Sequence, residues 1–337
     1  MTIRRRPLLL ASAGAGAAAL CAPAPLRAQG DAPSGTLVLY TSQLEADAAA
    51  TVEAFRRRHP AVQVEWVRGG TGQLMPRLRT EIAAGQPRAD VLLLADAPTF
   101  ESLGREGRLR ESPEVDLGAV PADRHDARRR YFATKLITTG VVHNTRAPFA
   151  PRAWADLLRP EARNLATMPS PSVSGAAAIH VQALAGAPGL GWEYIERLAA
   201  HGLQPRGGNG QVLQAVAGGE RAYGMVVDYL ALREAARGAP VRFVFPEEGV
   251  SAVTEPAAIL STTRNAPAAA AFVSFLLSRE GQELAARQGF LPADPSVAPP
   301  PGFPDPAGIR LLPLDAERAS GPEGEAALRR FAALVGG

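Results

Sequence analysis

Between Thr36 and Leu94 the chain alternates short β-rich runs with amphipathic helical pattern, and this alternation constrains the fold more than any other feature. Thr36-Leu37-Val38-Leu39-Tyr40 reads as a strand. Leu44 to Arg58 carries apolar residues at helical spacing and stops at Pro60. Val62 to Val67 alternates like a second strand, Arg68 to Gly72 is a Gly-rich turn, and Gln73 to Ala84 is a helix ended by Gly85. Ala89 to Leu94 is a strand without alternation, as expected where both faces are covered. Strand, helix, strand, helix, strand at this spacing predicts parallel pairing through right-handed crossovers in an open α/β sheet.

The middle of the chain repeats the logic. Strands are expected at Thr138–His143, Leu165–Met168, Tyr223–Val227, Val241–Phe245 and Ala257–Leu260. Helices are expected at Trp154–Leu158, Gly175–Leu184, Gly191–His201, Gln211–Ala217, Leu230–Ala236, Ala266–Leu277 and Gly281–Gln288. A Pro-rich tail at 295–306 precedes a last helix near Glu323–Leu334.

Charge position matters more than total charge. The 337 residues hold 36 Lys plus Arg against 33 Asp plus Glu, a formal charge of +3 and a pI near 9.4, which invites a nucleic-acid reading. Yet Arg4, Arg5, Arg6 and Arg27 all lie in residues 1–28, which contain no acid. That segment has a basic start, the apolar run Leu8–Leu20 and a small-residue site at Leu26-Arg27-Ala28, the layout of an export signal cut after Ala28. Arg5-Arg6-Pro7-Leu8-Leu9 fits twin-arginine export, while Cys21 offers a lipoprotein alternative that Leu20, too large to precede a lipidated cysteine, disfavours. Without these residues 32 bases face 33 acids, a charge of −1, and no cysteine remains. Nucleic acid, disulfide scaffolds and multi-cysteine zinc sites thereby drop out, and the mature chain is expected to be a soluble periplasmic monomer. Arg56–Arg58 and Arg128–Arg130 read as solvated faces.

Leu39-Tyr40-Thr41-Ser42, Gly69-Gly70-Thr71-Gly72-Gln73-Leu74 and Ala89-Asp90-Val91 resemble the corresponding segments of family-1 extracellular solute-binding proteins of ABC importers. The run Ala271-Phe272-Val273-Ser274-Phe275-Leu276-Leu277-Ser278-Arg279-Glu280-Gly281-Gln282 with Gly289-Phe290-Leu291-Pro292 is the more specific match. It is similar to the signature of the ferric-ion, organophosphate and 2-aminoethylphosphonate binders. The resemblance implies a type II periplasmic-binding-protein fold, two α/β lobes joined by crossing strands that close on a ligand by hinge motion. It places one lobe at 31–135 plus 255–337 and the other at 136–254. It also implies a permease and an ATPase as partners; no catalytic residue, cofactor or metal is expected of this chain.

The ligand must come from the site. Iron binders of the family use a His after the first strand, a Glu after the third and a late Tyr pair. Here those places read Gln43-Leu44, Leu94-Ala95-Asp96 and Asp228-Tyr229-Leu230. The Tyr229 phenol, with the Asp96 carboxylate displaced by one residue, offers too few anionic oxygens for a ferric ion. The anion elements are present instead. Ser172, Ser174, Gly175 and Ala176 lead into a helix whose first amides have no internal acceptor, although Ser174 would serve equally as an N-cap. Ser42, Thr71 and Gly72 stand at strand ends before helices, where open α/β sheets bind ligands or simply cap. Asn209 resembles the family's polar residue before the next helix, or is a turn residue. Asp228 would pair with an amine, so with the Ser174 turn it suits a zwitterion such as an aminoalkylphosphonate; a solvated capping role is the alternative. Tyr229 completes the cleft, as ligand contact or packing aromatic. A secreted hydrolase is the competing class, but Ser172-Val173-Ser174-Gly175 lacks the leading glycine of a nucleophile elbow and the five histidines show no metal spacing.

Overall fold

A computed structural model describes residues 32–336. The export signal read over residues 1–28 lies outside the described residues. In chain order the strands are β1 (Gly35–Thr41), β2 (Val62–Arg68), β3 (Val91–Leu93), β4 (Tyr131–Ala133), β5 (Lys135–Asn144) and β6 (Ala166–Met168). They continue as β7 (Gln204–Pro205), β8 (Tyr223–Val227), β9 (Val241–Val244), β10 (Ser251–Val253), β11 (Pro256–Ile259) and β12 (Leu291–Pro292). The helices are α1 (Glu45–Arg58), α2 (Thr71–Ala83), α3 (Ala97–Arg105), α4 (Gly175–Gly186), α5 (Gly191–Ala200) and α6 (Asn209–Ala217). After these come α7 (Asp228–Ala236), α8 (Ala266–Leu277), α9 (Arg279–Arg287), α10 (Ala316–Ala319) and α11 (Pro322–Leu334).

Two sheets result. The first has the order β2-β1-β3-β11-β4, with β1 parallel to both β2 and β3 as the alternating pattern requires. Leu37 and Leu39 face a core with Phe55, Phe272 and Phe275, whose rings meet edge to face at 5.0 and 5.8 Å from Phe55. Tyr40, Leu92 and Leu94 face the opposite core with Leu74, Leu78 and Phe100. Helices on both faces explain why the third strand reads as apolar without alternation.

The second sheet runs β10-β5-β8-β6-β7, with β9 and β12 also pairing with β5. Here the parallel expectation holds only for β6 with β7 and β8; β5 is antiparallel to β8, β9 and β10. The reason is that β5 enters from the first sheet. β4 and β5 are nearly continuous through Thr134, and β10 returns to β11 through Thr254 and Glu255. These two crossing strands are tied where they pass: Thr134 Oγ1 donates to the Glu255 carbonyl at 2.6 Å, and Lys135 Nζ stands 2.7 Å from Glu255 Oε2 with both side chains buried.

The late motif braces the crossing. The Gln282 amide donates to the carbonyls of Thr134 at 2.8 Å and Leu276 at 2.7 Å, and Gln282 Oε1 accepts from Asp294 N. Leu291 and Pro292 form β12 against Leu136 and Lys135. The chain after residue 255 serves both sheets. β11 joins the first, whereas Leu312 and Phe331 enter a core with Trp154, Ile195 and Tyr223 beside the second. The division expected from sequence assigns all of 255–337 to the first lobe. The apolar face of α11, marked by Leu328 and Phe331, finds its cover on α4 and α5 instead.

Pattern reading passed over α3, α10 and the short strands β4, β7, β10 and β12. Each strand is too brief to show a period. α3 did carry a signal, an N-cap Asp96 accepting from Thr99 N at 3.2 Å with Pro98 in the first turn.

Candidate functional site

A cleft of about 460 Å³ lies between the two sheets, and five helices begin at its wall. Their N-cap residues, Leu44 of α1, Gly70 of α2, Ser174 of α4, Gly208 of α6 and Val227 of α7, all line it. The convergence follows from topology: each of these helices follows a strand or loop ending at the same edge, where open α/β sheets collect helix N-termini. Every such terminus offers amides without intrahelical acceptors and about half a positive charge.

Local sequence keeps several of these amides free. α1, α2 and α6 have no side-chain cap, since Leu44, Gly70 and Gly208 offer no oxygen there. Gln73 and Gln211 instead accept from the Gly70 and Gly208 N–H groups at 3.1 and 2.9 Å, satisfying the capping residues rather than the turns that follow. α8, α9 and α10, which start elsewhere, are capped by Asn265, Ser278 and Asp315.

Of the residues expected from sequence, Ser42, Thr71, Ser174, Gly175, Ala176, Asn209 and Tyr229 line this cleft. The Ser42 hydroxyl oxygen accepts from Ala95 N at 2.9 Å, and Ser174 Oγ accepts from Ala177 N at 3.3 Å and Asn209 Nδ2 at 3.1 Å. An oxygen occupied as an acceptor leaves its hydroxyl proton to donate. Thus Ser174 is the N-cap of α4, and its hydroxyl proton is left to donate. Asn209 is held by the same network, its Oδ1 accepting from Val227 N at 3.2 Å. Thr71 Oγ1 is buried with no hydrogen-bond partner. Burial raises the Tyr229 phenol above its ordinary pKa, with Glu255 adding in the same direction, so it stands at the cleft as a neutral donor.

Three expected residues sit elsewhere. Gly72 and Ser172 touch each other beside the cleft: a Cβ on Gly72 would come within 2.1 Å of the Ser172 carbonyl oxygen. The Ser172 hydroxyl is engaged with Ser170 Oγ at 2.7 Å. Asp228 is buried with its carboxylate turned into the fold, accepting from Thr138 N at 2.9 Å, Thr138 Oγ1 at 2.6 Å and Tyr229 N at 2.6 Å. This replaces its expected role as an amine partner, because α7 begins at Asp228 and not at Leu230 and swings the carboxylate back toward β5.

Desolvation lifts the Asp228 carboxyl to about 7 despite these donors. Because the folded value lies above the unfolded one, the unfolded chain releases its proton near pH 4 while the folded protein keeps it to about pH 7. Stability is therefore expected to fall by up to about 1.4 kcal/mol per pH unit through that window and to level off above it. Denaturant titrations of the wild type and Asp228→Asn at about pH 5 and about pH 8 check the sign: the difference should move against the wild type as pH rises.

The cleft holds groups that pattern reading missed. Arg68, the last residue of β2, donates its Nε–H to the Gln43 carbonyl at 3.0 Å and lines the cleft, with no acidic partner among the described residues. Its position at a strand's C-terminal end was the available signal. Gln73, Gln211 and Gln214 add amides. Glu255 lines the cleft too, but Lys135 and the Gln43 amide, the latter at 3.1 Å, hold its Oε2. Lys135, which lies behind the lining, balances Glu255, so Arg68 is the uncompensated charge at the cleft among the described residues. Among the described residues no group of three or more His, Cys, Asp or Glu is placed to hold a metal, and Asp96 is turned to Thr99.

Solved structures share this architecture. The periplasmic binding protein AfuA from Actinobacillus pleuropneumoniae, solved with exogenous fructose-6-phosphate bound, superposes with a TM-score of 0.81 at 22% identity over 90% of this chain and 99% of that one. Iron-bound HitA from Pseudomonas aeruginosa does so with a TM-score of 0.73 at 24% identity over 89% of this chain and 99% of its own. A Haemophilus influenzae protein of uncharacterised function is 26% identical over 314 residues, 87% of this chain and 88% of that protein. At these identities the structures share the fold, and the ligand must be argued from the cleft. Residues 36–291 match the bacterial extracellular solute-binding protein family over most of the folded chain, and with the two-sheet architecture they show that this protein belongs to that family, the substrate-binding components of ABC importers.

Proposed function

We propose that the protein is exported through a leader removed after Ala28, and that it works in the periplasm as a monomer. There it captures an organic phosphate between its lobes and delivers it to a membrane permease driven by an ATPase. One observation carries the ligand class: helix N-termini and Arg68 converge on a cleft in which the sole lining carboxylate is neutralised by Lys135. Such a lining favours a net anion over a zwitterion, since Asp228 is spent on Thr138 and Glu255 is already paired with Lys135. The volume, about 460 Å³, falls in the range of roughly 300–1,000 Å³ typical of sites enclosing small organic molecules. Inorganic phosphate alone would leave much of it to water, and the amides of Gln73, Gln211 and Gln214 suit a hydroxylated body. The fructose-6-phosphate bound by AfuA supports the same class.

Calorimetric titration with fructose 6-phosphate, glycerol 3-phosphate, inorganic phosphate, 2-aminoethylphosphonate and ferric citrate tests this. Saturable one-to-one binding of a phosphate ester is expected, with a melting temperature that rises with its concentration. Preference for 2-aminoethylphosphonate or ferric citrate overturns the assignment.

A further inference from the structure

Beside the cleft the two lobes approach through backbone at three glycines. A Cβ built on Gly70 would lie 2.1 Å from the Val173 carbonyl oxygen, and one on Gly72 2.1 Å from the Ser172 carbonyl oxygen. On the facing side, a Cβ on Gly175 would lie 2.7 Å from the Ala95 carbonyl oxygen and 3.0 Å from Thr71 Oγ1. Gly70 and Gly72 open α2, next to the first sheet; Ser172, Val173 and Gly175 open α4, next to the second. The contacts therefore run between parts of the chain that hinge motion about residues 134 and 254–255 would separate.

Local conformation does not call for these glycines. Gly70 has φ −63° and ψ 154°, ordinary extended backbone, and Gly72 is an α-helical residue. In isolation each position would accept alanine, and at Gly72 alanine is the better helix former. The requirement comes from across the cleft, where the opposing atom is carbonyl oxygen, which cannot rotate away as a flexible side chain could.

We propose that Gly70 and Gly72 form a closure seam: their missing side chains allow the first turn of α2 to seat on the turn before α4, and side-chain size at these two positions sets how much of the protein is closed. The seam adjoins the ligand cleft, with Gly70 on its lining, so it governs retention of any ligand. This inference takes over the reading of the cleft as a ligand site, but it can be tested without ligand. A Cβ at either position blocks the seam while leaving both lobes intact.

The test is a cross-cleft distance. In the chain from Gln29 onward, which contains no cysteine, spin labels at Thr80→Cys on α2 and Glu193→Cys on α5 report lobe separation by pulsed electron resonance. The unsubstituted seam is expected to show a short-distance population, with and without added fructose 6-phosphate. Gly72→Ala and Gly70→Ala should each lower that population by about tenfold or more, with apparent ligand affinity falling by the same factor. Gly186→Ala, whose Cβ would meet nothing within 4 Å, should leave it unchanged. Melting temperatures of the Gly72→Ala protein should equal or exceed the parent's, whereas a purely structural role would lower them. No short-distance population in the parent, or one unaltered by both alanines, overturns the proposal. Failure of every phosphate ester to bind would sink the cleft's ligand assignment and leave the distance result standing.

Discussion

Glu255→Ala is expected to destabilise the protein by about 3–5 kcal/mol, because it strands the Lys135 ammonium in the crossing between the sheets. Lys135 and Glu255 are 3% and 2% exposed, so water cannot replace the lost partner. The remaining neighbour of Lys135 is the Phe290 ring, 4.3 Å from Nζ to the centroid, which compensates only in part. Removing the carboxylate also frees the Gln43 amide, which donates to it at 3.1 Å. Glu255→Gln keeps an acceptor for Gln43 and still leaves the cation unpaired, so its loss should approach that of the alanine variant. The double substitution Lys135→Met with Glu255→Leu, which removes both charges and keeps the volume, should recover most of the stability. Urea denaturation measures all four proteins. A loss below about 1 kcal/mol for Glu255→Ala would show that the pair is already solvated.

Arg68→Ala should weaken binding of a phosphate ester by about 2–3 kcal/mol, roughly 30- to 150-fold. The guanidinium is the one cation lining the cleft among the described residues, and its Nε–H bond to the Gln43 carbonyl at 3.0 Å aims the two terminal nitrogens away from that anchor. Arg68→Lys preserves the charge and loses both the anchor and the fork, so affinity should fall between the two. The same series measured with rising salt separates long-range attraction from direct contact, since only the former is screened. Equal affinity for the wild type and Arg68→Ala would remove Arg68 from the site. In both experiments the affected group sits at a junction that no local pattern describes.

That contrast runs through the molecule. The β1–β3 sheet was legible because apolar period reports burial directly, and Tyr223–Val227 and Ala266–Leu277 fall where the pattern placed them. Ser42, Thr71, Ser174, Gly175 and Asn209 were legible as cleft residues because a strand end followed by a helix start is itself a local signal. Asp228 was not. Its charge suggested an amine partner, but which way a carboxylate turns depends on where α7 begins and on Thr138, ninety positions away in sequence. Arg68 and Glu255 were passed over for the same reason, since a charged residue at a strand terminus looks alike whether it meets solvent, a cleft or a buried lysine.

By itself the sequence determined an α/β chain of alternating strands and helices, a basic, acid-free segment over residues 1–28 that accounts for the excess charge, and membership of a solute-binding family. Hydrophobic period, charge position and short motifs are local quantities and need no third dimension. The tertiary structure decided the antiparallel character of the second sheet, the docking of α11 beside it, the pairing of Lys135 with Glu255 and the meeting of Gly70 and Gly72 with the turn before α4. Each depends on the path of two strands that cross between the sheets, which brings together residues far apart in the chain; the contacts made at that crossing have no counterpart in any window of sequence.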